Sequence, residues 1–280
     1  MCIRDSTNGH VRMGIAAQLQ EMDHGFALIG KYPELKGIPV VIGESDPEGC
    51  AACQGPQLSY RNGTMYSSYT AAVFARKPEL AAKYGVNLEG ALTWAFEFED
   101  QPCFAGFRAL ASGGIDLPVM NVFRMMGKMG GEQLSTTSSG SIPLEQIVRD
   151  GVRGSPDVSA LASRKGRQVV VLVWHYHDDD VPGPAAEVNL VVRGFTGRDG
   201  PVRLVHYRID ENHSNAYAEW KRMGSPATPG SAQYGELQTA GRLSILEGAP
   251  QTVEVRGGKA ELRFELPRQA VSLVVIQAQS

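Results

Sequence analysis

Val11, Ile15, Leu19, Met22 and Phe26 recur at helical spacing and predict an amphipathic helix over 10–29, closed by Gly30 and Pro33. A short apolar run follows, Ile38 and Val40-Val41-Ile42, which reads as a strand over 38–43 buried on both faces. Residues 45–63 are rich in Gly, Pro, Cys and Gln and read as a loop. A second helix is predicted over 64–77, with Tyr66, Tyr69, Val73 and Phe74 on its apolar side and Pro78 as its stop; a helical turn over 78–84 ends at Gly85. Leu88 to Phe96 reads as another strand, and a third helix over 118–129 turns Val119, Val122, Phe123 and Met126 inward.

The first half therefore alternates helix and strand, the pattern of parallel strands joined by crossover helices. Two strands cannot close a barrel, so this part either borrows strands or is a piece of a larger barrel. The pattern changes after residue 130. Gly130-Gly131 and the Ser/Thr run from Ser135 to Ser141 mark residues 131–167 as a linker. Beyond it, period-two and continuous apolar segments predict strands at 168–176, 186–193, 201–209, 251–256, 260–266 and 270–278, with a hairpin at Gly257-Gly258. The expected architecture is α/β plus all-β. Residues 7–130 would form part of a TIM barrel, and residues 168–280 an antiparallel β-sandwich. There is no internal repeat.

Composition narrows the classes. The chain has 280 residues, 42% hydrophobic and 20% charged, enough for a sizeable core, and its formal charge of −3 comes without clustered bases. Nucleic acid is therefore not an expected partner. No apolar run reaches the roughly 18 residues of a membrane span. The segment Met1-Cys2-Ile3-Arg4-Asp5-Ser6 lacks the apolar stretch of a secretory signal and leads straight into a helix, so the natural protein is expected to begin upstream. Of four cysteines, Cys50 and Cys53 have the spacing of a redox or metal pair, and Cys103 lies in a later loop; free thiols, a disulfide or a metal pair are the readings.

The candidate chemistry sits at Glu44, where the 38–43 run ends. In parallel α/β sheets and barrels, active sites are built at the carboxyl ends of strands. Acids after Trp94 would project from the neighbouring strand end toward the same pocket. Carboxylates bind sugar hydroxyls with charge-assisted hydrogen bonds, and Trp94 offers a flat face to a pyranose ring. Retaining glycoside hydrolysis needs one ionised carboxylate as nucleophile and one protonated carboxyl as acid, roughly 5–5.5 Å apart. Glu44 fits the first role; its alternative is to cap or pair with a neighbouring base.

Several motifs together carry a resemblance. They are Gly37 to Glu44 (GIPVVIGE), Leu92 to Glu99 (LTWAFEFE), Phe107 to Leu110 running on to Leu117 to Arg124, and His206 to Tyr217 followed by Trp220 and Met223 to Pro226. On these the chain resembles glycoside hydrolase family 39, the β-xylosidase family. The resemblance implies a retaining exo-glycosidase hydrolysing terminal β-D-xylosides, with Glu44 as nucleophile at the end of barrel strand seven. It implies that Trp94 and the acids Glu97, Glu99 and Asp100 line the subsite for the terminal xylose, with a shorter spacing after Trp94 than is usual in the family. The loop after Glu44 carries Cys50 and Cys53 where the family often has a Tyr, with Tyr60 as a substitute. The family's acid/base lies in an Asn-Glu-Pro motif, which does not occur in this sequence. The chain by itself is therefore expected to be inactive. The implied partner is a xylo-oligosaccharide or another glycoside, with no cofactor or metal, and homo-oligomerisation stays open. The alternatives are an iduronidase-like member of the family and a non-catalytic carbohydrate-binding protein.

Other features read as structural. His175 and His177 share a strand face before Asp178-Asp179-Asp180, which suits a solvated strand end more than a metal site. His206 and His213 flank a turn built on Asp210 and Asn212 that would pack one half against the other. Trp174 and Tyr176, at i and i+2, are core candidates; exposed, they would favour the carbohydrate-binding alternative. Asn62-Gly63-Thr64 has the acceptor pattern for N-glycosylation, common by chance. Gly106 and Gly113-Gly114 are turns without a phosphate fingerprint.

Overall fold

The computed structural model describes residues 10–195 and 199–278. The Met1 to Ser6 segment, with Cys2, lies outside the described residues. The first helix, α1 (Ile15–Ile29), buries Ile15, Leu19 and Phe26 as the spacing predicts, but it starts later than residue 10. Val11 and Met13 are buried in extended backbone instead, where Met13 N donates to Asp178 O and Arg12 bridges antiparallel to Asp179. A partner strand decided that segment, and the matching helical phase of Val11 was incidental.

Strand β1 (Val40–Ile42) pairs in parallel with β2 (Leu88–Ala91), and α2 (Thr64–Tyr84) crosses between them. Two expectations need correction. The helix does not stop at Pro78 but runs through it to Tyr84, ending on Gly85 in the left-handed region (φ 66°). Proline forfeits one intrahelical hydrogen bond; Leu80 and Ala81 beyond it are fully buried, which offsets that loss. The second correction concerns β1. Val41 is 55% exposed while Val40 and Ile42 are half-buried, so only one face of the strand is covered. The second strand is also shorter than 88–96: beyond Ala91 the chain continues extended, with Ser45 N donating to Leu92 O, and contains a cis peptide at Trp94–Ala95. A small hairpin, β3 (Ala111–Ser112) and β4 (Ile115–Asp116), turns on Gly113 and Gly114, both at positive φ; α3 (Pro118–Met126) follows and ends at Gly127, short of residue 129.

Residues 131–167, expected as a linker, hold three elements: β5 (Glu132–Leu134), α4 (Leu144–Asp150) and β6 (Asp157–Lys165). Then come β7 (Gln168–Tyr176), β8 (Ala186–Arg193), β9 (Gly200–Ile209), α5 (Ala216–Arg222), α6 (Ser231–Gly241), β10 (Ser244–Ile245), β11 (Gln251–Arg256), β12 (Lys259–Leu266) and β13 (Val271–Ala278). The six predicted strands all appear within one residue of their predicted bounds. The strands hydrogen-bond as one antiparallel sheet in the order β5-β6-β7-β13-β9-β11-β12-β8, with β10 added beside β9.

The central strands of this sheet are apolar on both faces, whereas β8, β11 and β12 leave one polar face open. Val170, Leu172, Trp174 and Tyr176 of β7 join the core shared with α1, α2 and α3, as do Val271 and Leu273 of β13. The alternate residues Val169, Val171 and Val173, with Val274 and Ile276, face a second core closed by β8, β9, β11 and β12. The sheet curls over its own side chains. Trp174 and Tyr176 are thus interior residues, which removes the exposed aromatic row that the carbohydrate-binding alternative requires. The segment from His206 to Pro226 joins the halves: Tyr217 and Trp220 of α5 pack on Phe104, and the Asn121 side chain donates to the carbonyls of Ser214 and Gly241. No helix among the described residues is long and apolar enough to cross a membrane.

Candidate active site

Three carboxylates alternate where β1 ends, Glu44, Asp46 and Glu48, and two buried arginines answer them. Arg108 comes from the segment after Trp94 and is fully buried. Its Nη2 donates to Glu44 Oε1 and lies 3.3 Å from Asp46 Oδ2, while its Nε donates to Trp94 O at 2.9 Å. Asp46 is buried too. It accepts from the Thr93 hydroxyl, from Trp94 N at 3.0 Å and from the Tyr66 hydroxyl at 3.3 Å. Glu48 accepts from the Tyr60 hydroxyl and from Nε and Nη2 of Arg61. The remaining Arg61 donors reach the carbonyls of Cys50, Ala51, Cys53 and Gly106. A guanidinium offers five donors in a rigid fork, so this one residue shapes the whole 48–53 turn. Cys50 and Cys53 close that turn as a disulfide, and Cys103 is a free thiol whose pKa burial raises.

Electrostatics follow from burial. Desolvation pushes the Asp46 carboxyl above its usual range, against the opposing pull of Thr93 and Arg108. Desolvation also works against the charge on Arg108, but Asp46, Tyr66, Glu44 and Glu48 outweigh it and its pKa rises. Beneath this cluster lies Lys77 of α2, buried with no hydrogen-bond partner for Nζ, which rests 3.1 Å from the centre of the Phe74 ring. Burial lowers its pKa to about 7, and Asp46 partly opposes that.

Glu44 itself is different from its neighbours: its side chain is 49% exposed although Arg108 holds one of its oxygens. It is neither turned into the interior nor covered by the arginine. Trp94 is 55% exposed and its ring meets Phe98 edge-on, and Phe98 in turn stacks on Phe107. Glu44, Trp94, Asp46 and Arg108 are therefore brought together. The acids after Trp94 are not drawn into this network: Glu97 accepts from Gly114 N at 2.7 Å in the β3–β4 turn, and Glu99 and Asp100 are exposed on the turn that follows. Tyr60 is buried on Glu48 and does not face the open side of Glu44. The sequence reading missed Asp46, Glu48, Arg61 and Arg108. The only hint for the acids was their alternation after Glu44, and nothing local marks the arginines.

The histidines have structural partners, and the end of β7 is buried where a solvated strand end was expected: His175, His177 and Asp178 are all interior. His175 Nδ1 lies 2.9 Å from Leu266 O, and His177 Nδ1 accepts from Asp179 N. His206 contacts the Ser272 hydroxyl at 2.9 Å, and burial pulls its pKa down to about 3. Asp210 accepts from the backbone N–H groups of Asn212 and His213, the turn expected there. A separate cleft of about 890 Å³ between α1 and α4 contains none of the residues at the end of β1.

A half-open carboxylate and an open indole thus stand at adjacent ends of two parallel strands. The family model for glycosyl hydrolases family 39 matches residues 10–257, and the chain belongs to that family. A β-xylosidase of Caldicellulosiruptor saccharolyticus is 25% identical over 142 residues, covering 51% of this chain and 26% of the relative. Among solved structures, a monomeric β-xylosidase from Caulobacter crescentus CB15 superposes with a TM-score of 0.71 at 18% identity, over 95% of this chain and 50% of that one. A bacterial orthologue of human α-L-iduronidase gives 0.77 at 17% identity, over 96% of this chain and 46% of that one. The chain thus spans about half the length of these solved relatives and about a quarter of the curated one.

Proposed function

We propose that this chain carries the nucleophile half of a retaining exo-glycosidase that hydrolyses terminal β-D-xylosides. In this reading residues up to about 130 supply the last two strand–helix units of a TIM barrel, and the curled sheet, which takes in β5 and β6 from the former linker, is its β-sandwich partner. The single observation that carries the proposal is the half-exposed Glu44 carboxylate at the end of β1, held through one oxygen by a buried arginine.

The ionised Glu44 attacks the anomeric carbon, the glycosidic C–O bond breaks, and a glycosyl ester forms on Glu44. The departing oxygen takes a proton from a general acid. With no Asn-Glu-Pro in this sequence, that acid is supplied by the rest of the full-length protein. Water then opens the ester, with the same acid acting as base. Trp94 supplies the apolar floor, and Glu99 and Asp100 are exposed to reach sugar hydroxyls; Glu97 would have to leave Gly114 N first. Among the described residues the only base paired with Glu44 is Arg108, which is buried on protein carboxylates, so a neutral xyloside is favoured over a uronide.

Two measurements test this. The full-length protein treated with a 2-fluoro xyloside is expected to trap label on the peptide containing Glu44; label elsewhere, or binding without label, sinks the assignment. The 280-residue chain alone is expected not to turn over an aryl β-xyloside, since loss of the acid typically costs 10²–10⁴-fold. Turnover by the chain alone would mean that the acid lies within it.

A further inference from the structure

We infer that Asp46 is a positioning residue that ties the Glu44 carboxylate and the Trp94 backbone into one unit through Arg108. This rests on the reading of Glu44 as nucleophile. The Trp94 residue is gripped on both sides: its N–H by Asp46 Oδ2 at 3.0 Å, its carbonyl by Arg108 Nε at 2.9 Å. The same guanidinium holds Glu44 and reaches Asp46. One carboxylate and one guanidinium, both shut off from solvent, thus link the ends of β1 and β2. Beside this side-chain link the two segments share the backbone bond from Ser45 N to Leu92 O.

The chemistry requires such a unit. A lone arginine on the nucleophile would draw its charge away and tether it; a second anion on the same guanidinium divides that attraction. Asp46 supplies the anion where it cannot touch substrate. The charged and titratable groups facing Asp46 are Glu44 and Glu48 on its own segment, Arg108 after β2, and Tyr66 and Lys77 on α2; Thr93 and Trp94 N complete its partners. Replacing Asp46 by the near-isosteric Asn keeps the volume and removes the charge. Arg108 then bonds Glu44 more tightly, and one negative neighbour of the ionised nucleophile is lost. Misplacing a reacting group by about 1 Å costs up to about 10²-fold in rate.

The experiment uses the full-length protein, with active sites counted by 2-fluoro xyloside trapping. Per trapped site, Asp46→Asn is expected to lower kcat about 10-fold or more while KM changes less than about threefold. The acid limb of the kcat/KM profile should move to lower pH, by about half a unit or more. A merely structural role would reduce the number of trapped sites and leave both readouts alone. Thr93→Val, which removes one hydrogen bond and keeps the charge, is expected to lower kcat severalfold with the acid limb in place, and it decides the matter if Asp46→Asn does not fold. Wild-type kcat and an unmoved acid limb in Asp46→Asn, or wild-type kcat in a Thr93→Val protein standing alone, overturn the inference and leave Glu44 standing. No label on wild-type Glu44 removes both.

Discussion

The two halves of this molecule bury their surfaces in opposite ways. In the curled sheet of residues 132–278 the central strands β7 and β13 are apolar on both faces and each contributes to two cores. The parallel pair β1–β2 has one covered face; on the other, Val41, Leu92, Trp94 and Phe96 lie open while charged groups such as Arg61, Arg108 and Lys77 are buried nearby. The usual arrangement of apolar inside and charged outside is inverted around Glu44. An inversion is costly, because each buried charge must be matched by an opposite charge or a hydrogen bond. For Arg108 part of that matching is the site itself: its salt bridge to Glu44 is what holds the candidate nucleophile.

Breaking this contrast should have its largest effect in the sheet. Trp174→Ala empties a fully buried site and removes the indole donor to Asp157, and it is expected to destabilise the chain by about 3–5 kcal/mol in denaturant titrations. An effect below about 1 kcal/mol would mean that the sheet core is not tightly packed. The next effect has the opposite sign and belongs to the first half. Folding lowers the Lys77 pKa to about 7, so its burial costs stability in full below pH 7 and progressively less up to the normal lysine range. Lys77→Met should stabilise the chain by about 2–4 kcal/mol at pH 6 and by much less at pH 10. A gain that is flat with pH would show that the ammonium is not desolvated. The sheet hides its own base, His206, neutral when folded because burial takes its pKa to about 3. The unfolded chain binds a proton there below about pH 6.5, so this contribution is intact above that pH and is lost as pH falls toward 3. The loss is about 2 kcal/mol at pH 5. A His206→Gln chain should show a shallower acid loss in thermal melts. The smallest effect is the most pointed. Val41→Thr on the open face of β1 should change stability by no more than about 0.5 kcal/mol; a large loss would mean that this face is covered in solution.

Legibility divides along the same line. The sheet half was largely readable because its strands are long and rich in Val, Ile and Leu, so period and β-branching agree. Among the elements that escaped were β6, whose Ser159, Ala160, Ala162 and Ser163 lack that signal, and α6, where only Leu237 and Gly241 are buried. In the first half, Glu44 was legible because an acid directly after an apolar run is anomalous. Arg108 was not: it lies 64 residues from Glu44, and only the parallel pairing of β1 and β2 brings the two segments together. The loop between residues 45 and 63 looked like connection, yet its carbonyls are the acceptors that keep Arg61 buried. Helix α2 shows the remaining failure, for Pro78 obeyed its neighbours' burial over its own preference.

Strand β13 lies between β7 and β9, and among the described residues no other strand bridges those two groups. It also follows every other strand of the sheet in the sequence. During synthesis the β5–β6–β7 block and the β9–β11–β12–β8 block are both made before the piece that joins them exists. Until residues 271–278 leave the ribosome, two apolar edges wait side by side with their amides unpaired, the state most prone to sticking to a neighbour. The last strand inserted is therefore also the one that ends this exposure.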